Sequence, residues 1–236
     1  MSKCHAIIFI VPAAIVIAGC SESRAPIAEP VAAYEESVHR ALRVKADLAH
    51  GRRWELGWGA VYVYDVASEQ LVRRIPLPGA SFAGAREACL PDILLSRSGA
   101  LFVSSNAQPV LWRISPARFE VERYDIAVDS DKDNDFGFSG LAWGADEKVL
   151  YAVSAVMGTL WRIDLDSAAA SKIALSSRIP GACGLAVKAG GASGHPSTTL
   201  VVSIGSGSAV HSVSLAPDLT KAEVTKLPVT DLAAAQ

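Results

Sequence analysis

An all-β fold of about four four-stranded antiparallel blades is predicted by two features of this 236-residue chain. One is a repeat of about fifty residues. The other is a set of strand-length apolar runs separated by turn residues. Four marker runs anchor the repeat: Val61-Tyr62-Val63-Tyr64-Asp65, Leu111-Trp112-Arg113-Ile114-Ser115, Leu160-Trp161-Arg162-Ile163-Asp164 and Val210-His211-Ser212-Val213-Ser214. They begin 50, 49 and 50 residues apart.

Matched runs lie upstream of three markers: Leu101 to Ser104, Leu150 to Val153 and Leu200 to Ser203. Further upstream are Asp92 to Leu95, Gly140 to Trp143 and Gly184 to Val187, and a fourth short run such as Val121 to Tyr124 or Ser171 to Leu175 follows the marker. Strand, turn, strand without helical periodicity describes antiparallel meanders. Four strands in about 40–50 residues is the size of one propeller blade, and a lone twisted sheet needs a stacked neighbour to bury its faces. The chain is therefore read as β-propeller-like. A β-sandwich is the rival architecture, but it does not require a fifty-residue register.

The first unit is the least regular. Its third and fourth strands fall in 60–66 and 70–77, and the period places its first strand near residue 41. There Leu42, Val44, Ala46 and Leu48 alternate with Arg43, Lys45 and Asp47, while Tyr34, Val38, Ala41 and Leu42 also fit an amphipathic helix. Both readings stay open on the sequence. An incomplete first blade leaves an open edge that the N-terminal segment or a second chain, as a homodimer, can close.

The N-terminus has the parts of an export signal. Lys3 precedes an uncharged run from Ala6 to Ile17, which is about 12 residues against the roughly 20 of a membrane span. Ile17-Ala18-Gly19-Cys20 resembles a bacterial lipobox, the rival being an ordinary secretory signal with a chance cysteine. The resemblance implies a signal peptide at 1–19, a lipidated Cys20, an anchor and tether at 20–35 and a domain at 36–236. It also implies a bilayer as partner. Two or more acyl chains anchor stably, where one is marginal. Ser21, with no aspartate after the cysteine, suits the outer membrane of a Gram-negative envelope, facing the periplasm or the cell surface. A net charge of −2 and the lack of a basic run argue against nucleic acid as a partner.

The segment Ser139-Gly140-Leu141-Ala142-Trp143-Gly144-Ala145-Asp146-Glu147-Lys148-Val149-Leu150-Tyr151, with Gly158 to Asp164, resembles the blade motif of the senescence-marker-protein/gluconolactonase-like propellers. That superfamily contains metal-dependent lactonases and phosphotriesterases. Its enzymes hold a divalent cation at the channel mouth through an Asn and an Asp, each before a glycine that opens an innermost strand. The matching positions here are Ser139 and Cys183, and Leu90 or Pro91 stands at a third. Serine is a poor substitute for an amide carbonyl, and cysteine prefers softer metals. The resemblance thus implies the fold without the family's metal site.

Cys89, Asp92, Ser139 and Cys183 all stand at entries to innermost strands, which makes them candidate channel-mouth residues. In an exported chain Cys89 and Cys183 either pair across that mouth or remain two buried thiols. Asp129, Asp131, Asp133 and Asp135 open like a Ca²⁺-binding EF-hand loop, but the twelfth position is Gly140 rather than a bidentate glutamate. A solvated acidic loop is the plainer reading. His39, His50, His195 and His211 are scattered; His211 shares the slot of Tyr62, Trp112 and Trp161, which are read as blade-to-blade core. The functional expectation is a non-catalytic binding module for a small molecule, glycan or protein, with a metal-dependent lactonase or ester hydrolase as the alternative.

Overall fold

The computed structural model describes residues 41–82, 89–128, 137–188, 198–205 and 209–228. Four meanders follow one another. Blade 1 holds β1 (Arg43–Asp47), β2 (Arg52–Leu56), β3 (Ala60–Asp65) and β4 (Leu71–Pro76). Blade 2 holds β5 (Ile93–Leu95), β6 (Leu101–Ser104), β7 (Val110–Ile114) and β8 (Val121–Asp125). A short β9 (Ala127–Val128) precedes blade 3, which is β10 (Gly140–Trp143), β11 (Val149–Ser154), β12 (Thr159–Asp164) and β13 (Ala169–Leu175). Blade 4 holds β14 (Ala182–Lys188), β15 (Thr199–Ile204), β16 (Ala209–Leu215) and β17 (Lys221–Leu227). Within each blade the strands pair antiparallel in chain order.

The ambiguous segment of blade 1 is a strand. β1 pairs with β2 from Arg43↔Leu56 to Asp47↔Arg52, then a single 3-10 turn, Leu48–His50, ends at Gly51 in the left-handed region. Five paired residues outweigh a helical periodicity whose remaining positions, from Tyr34 to Val38, lie outside the described residues.

The fifty-residue period is also written in the turns. Glu69, Phe119, Ala168 and Leu219 each have a positive φ between 51° and 58°, and each closes the turn between third and fourth strands. A non-glycine residue there costs about 1–2 kcal/mol. Side-chain capping of the same turns offsets that cost: Asp65 Oδ1 accepts from the Ser68 amide and hydroxyl, and Asp164 Oδ1 does the same for Ser167.

Alternate residues of each strand face opposite neighbours, which gives three apolar cores. Trp54, Leu56, Val61 and Val63 of blade 1 meet Leu101, Val103, Trp112 and Ile114 of blade 2. Phe102 and Leu111, from the other side of blade 2, meet Leu150, Ala152, Trp161 and Ile163. Tyr151, Val153 and Leu160 meet Leu200, Val202 and Val213 of blade 4. Among the described residues blade 4 shares no such core with blade 1. Outer strands add two parallel links that the sequence did not announce: β9 to β13, and β13 to β17 through Ala174↔Lys221 and Leu175↔Ala222.

Candidate functional site

The four residues read from the sequence as channel-mouth candidates come together where β5, β10 and β14 begin. Cys89 and Cys183 form a disulfide with 4.8 Å between their Cα atoms, across 94 residues of chain. It links the entry of blade 2 to blade 4, so the reading of two separate thiols is overturned. Cys183 lies inside β14 rather than before it, at a register shift between Ala182 and Gly184. Innermost strands run close enough for this because Gly140 has no side chain: a Cβ there would stand 2.9 Å from Val153 Cγ2 and 3.0 Å from the Gly184 backbone.

Ser139 is 1% exposed, and its hydroxyl donates to the Ala182 carbonyl at 2.7 Å, with the Val153 carbonyl at 3.2 Å. It thereby ties blade 3 to blade 4. Asp92 sits among blades 1, 2 and 3. Its Oδ2 accepts from the Leu141 amide at 2.9 Å, its Oδ1 accepts from Ile93, and Arg43 Nε stands 3.9 Å away. Burial holds the Asp92 carboxyl above its ordinary range, opposed by the amides of Leu141 and Ile93 and by the charges of Arg43 and Lys45. The carboxylate keeps some exposure, at 21%, yet both oxygens are engaged by backbone. Asn106 Nδ2 donates to the Cys89 carbonyl at 3.0 Å.

This end of the molecule is therefore a hub of tertiary links. Its donor set does not fit the hard cation of the gluconolactonase-like enzymes: the Cys183 sulfur is in a disulfide, and the Ser139 hydroxyl is committed to a carbonyl. Among the described residues no group of three or more His, Cys, Asp or Glu is placed to hold a metal ion. Cys20, Asp129, Asp131, Asp133, Asp135, His39 and His195 lie outside the described residues. His50 pairs with buried Asp47 at 2.8 Å. His211 is half-buried in β16, opposite Val202 and Lys226; of the four residues in that slot Trp112 and Trp161 join the apolar cores, whereas Tyr62 and His211 are half-buried, which corrects the expectation that all four are blade-to-blade core.

A concave site opens at the other end of blades 2 and 3. A cleft of about 450 Å³ along the β13–β17 seam is lined mainly by apolar side chains such as Leu175, Leu215 and Ala222. The cleft between blades 2 and 3, about 310 Å³, is richer in chemistry. Phe102 and Trp143 form one wall as an edge-to-face pair with ring centroids 5.0 Å apart, and Trp143 is oriented by donating Nε1 to the Leu95 carbonyl at 2.7 Å. Tyr124, Arg113, Lys148, Glu147, Asp166, Ser96 and Ser98 supply the rest of the lining. Glu147 accepts from the Arg97 amide through both oxygens at 3.0 Å, which pins the blade 3 turn against blade 2. Burial and the neighbouring Glu122 raise the Tyr124 phenol above its usual range, so it is a neutral hydroxyl at physiological pH. Sequence reading missed this cleft because its lining joins equivalent turns of blades 2 and 3, 50 residues apart at Arg97 and Glu147, with strand residues Arg113 and Tyr124 of blade 2. The available signal was Trp143, an aromatic at the end of an innermost strand.

No family model and no curated protein matches the chain. Solved structures do. Virginiamycin B lyase from Staphylococcus aureus, a catalytically inactive form with quinupristin, is similar with TM-score 0.55 and 15% identity over 80% of this chain and 56% of that one. The Cps50 (Swd1) β-propeller domain from Myceliophteria thermophila gives 0.53 and 11%, over 78% and 57%. Hydrazine synthase from Kuenenia stuttgartiensis gives 0.56 and 8%, over 79% and 49%. The likeness establishes the class: this is a β-propeller fold. The chain spans about half the length of these structures.

Proposed function

We propose that the protein is an exported, lipid-anchored propeller module that binds a small, uncharged, hydroxyl-rich ligand of sugar size in the cleft between blades 2 and 3. The observation that carries this reading is the lining of that cleft. The partly exposed Trp143 ring, backed edge-to-face by the buried Phe102, stands beside the Tyr124 hydroxyl, two serines, two cations and two anions. Apolar ring faces stack on sugar C–H surfaces, and convergent polar groups of both signs select hydroxyls over net charge. Its volume of about 310 Å³ sits at the lower end of the roughly 300–1,000 Å³ of small-molecule sites. Anchoring rests on Ile17-Ala18-Gly19-Cys20, and the Cys89–Cys183 bond accords with an oxidising, exported compartment. The hydrolase alternative finds no support at Ser139 and Cys183.

Titration of the protein with mono- and disaccharides, followed by Trp fluorescence and calorimetry, tests the reading. A saturable signal weakened at least tenfold by Lys148→Ala and by Tyr124→Phe, with melting unchanged, is expected. Absence of saturation by any saccharide at millimolar concentration would sink it.

A further inference from the structure

The same tight turn joins the first two strands of blades 1, 2 and 3. Its fourth residue donates its amide to the carbonyl of the first: Gly51 to Leu48, Gly99 to Ser96 and Glu147 to Gly144. In all three the fourth residue is left-handed, with φ of 63° at Gly51, 79° at Gly99 and 57° at Glu147. Glycine adopts that conformation freely, whereas a side chain disfavours it. Blade 3 thus carries a glutamate where the other two turns carry glycine. Strain of this kind persists where the surroundings over-determine it, and it gathers at ligand clamps.

Neighbouring blades use this turn in two ways. Where blade 1 meets blade 2, the third residue of the blade 1 turn makes the contact. The His50 ring lies on Gly99, so closely that a Cβ there would stand 2.7 Å from His50 Cε1. The third residue of the blade 2 turn is the much smaller Ser98, and it lines the cleft that stands where blade 2 meets blade 3. There the contact comes from the other side. The Arg97 amide donates to both Glu147 oxygens at 3.0 Å, and the Glu147 side chain keeps only 21% exposure. A second bond ties the residues that precede the same two turns, from Trp143 Nε1 to the Leu95 carbonyl at 2.7 Å. Ser96 and Ser98 stand on the blade 2 side of this double clasp with their hydroxyls 2.9 Å apart. Lys148 follows Glu147 directly on the blade 3 side, and all three line the cleft.

We infer that Glu147 is the positioning residue of this cleft: by holding the Arg97 amide it fixes the spacing between the Ser96 and Ser98 hydroxyls and Lys148, and so the size of ligand that engages both sides at once. The inference rests on the reading of the cleft as a sugar-sized site. Glu147 acts through the two turns rather than by touching the ligand, since both its oxygens are engaged by the amide. A glycine at 147 relaxes the backbone and releases the turn, so strain and binding are coupled through one residue. A glutamine keeps an acceptor oxygen for the Arg97 amide.

The test compares wild type, Glu147→Gly and Glu147→Gln, each titrated with glucose, galactose, maltose and cellobiose by calorimetry. Amide exchange at Arg97 and the Trp143 indole signal, assigned through Trp143→Phe, are followed by NMR without sugar. Glu147→Gly is expected to speed Arg97 exchange, shift the Trp143 signal and weaken the tightest saccharide at least tenfold. Its melting temperature should stay level or rise, because the strain is gone. Glu147→Gln should lose no more than threefold in affinity. A merely structural role would lower the melting temperature of Glu147→Gly and leave its affinity alone, and that result would overturn the inference. Arg97 exchange and a Trp143 signal untouched by Glu147→Gly would overturn it too, since there would be no clasp to release. Wild type that binds no saccharide removes the sugar reading and this inference with it. Wild type that binds, matched in affinity by Glu147→Gly, overturns the positioning role alone.

Discussion

The junction face of blade 2 and the end face of blade 1 occupy the same positions in the repeat and carry opposite chemistry. Leu101, Val103, Trp112 and Ile114 are all fully buried, whereas Arg53, Glu55, Tyr62 and Tyr64 are half-buried. The repeat decides where a side chain points; the presence of a neighbouring blade decides what it must be. An apolar set is stabilised only where a second sheet removes it from water, at about 25 cal/mol per Å² of apolar surface. End faces of stacked repeats need polar surfaces in the free chain.

The largest expected effect concerns the strap that holds the junctions together. Reducing the Cys89–Cys183 bond, or replacing both residues by serine, releases a loop of 94 residues and should cost about 4–5 kcal/mol in the chain-entropy account. Urea unfolding with and without reductant measures it, and an unchanged midpoint would show that the junctions hold unaided.

Trp112→Ala should cost about 3–5 kcal/mol, in line with emptying a packed aromatic site, whereas Tyr62→Ala, at a half-buried position, should cost about 1 kcal/mol. Equal losses in chemical denaturation would break the distinction between junction and end.

Smaller effects appear as slopes against pH. Asp92 has a folded pKa above the unfolded 3.8, so the folded state keeps a proton that the unfolded state has released. Stability from this group is therefore present below 3.8 and declines as pH rises through the folded value. Asp92→Asn keeps an acceptor for the Leu141 amide and should remove that decline in melting curves taken across the acidic range. His211 shifts the other way. Burial, with Lys226 nearby, lowers its pKa from 6.5, and among the described residues its buried Nδ1 has no hydrogen-bond partner. The unfolded chain gains the proton first, so stability should fall as pH drops below about 6.5. His211→Phe should flatten that fall and leave neutral-pH stability equal or slightly raised; a slope unchanged by the substitution would assign the pH dependence to other groups.

The blades were legible because each strand alternates two faces and each marker returns after fifty residues, so register could be read from Trp112 and Trp161 alone. β1 was not, since five residues satisfy both a period of two and a period of 3.6 until a partner strand chooses. The partners of β13 were illegible for a different reason: β9 and β17 meet it in parallel from other repeats. Asp92 and Ser139 were legible as residues at strand entries, but their hydrogen bonds reach across blades to Leu141 and Ala182 and required the blades to be stacked.

By itself the sequence determined the strands of blades 2 to 4 and which of their residues share a face, because these depend on local sterics and period. Only the tertiary structure decided that Cys89 meets Cys183, that Ser139 is committed to a carbonyl, and that Phe102, Trp143 and Tyr124 frame one cleft. Each of those joins residues from different blades, and their distance is set by how whole sheets stack rather than by anything within a single repeat.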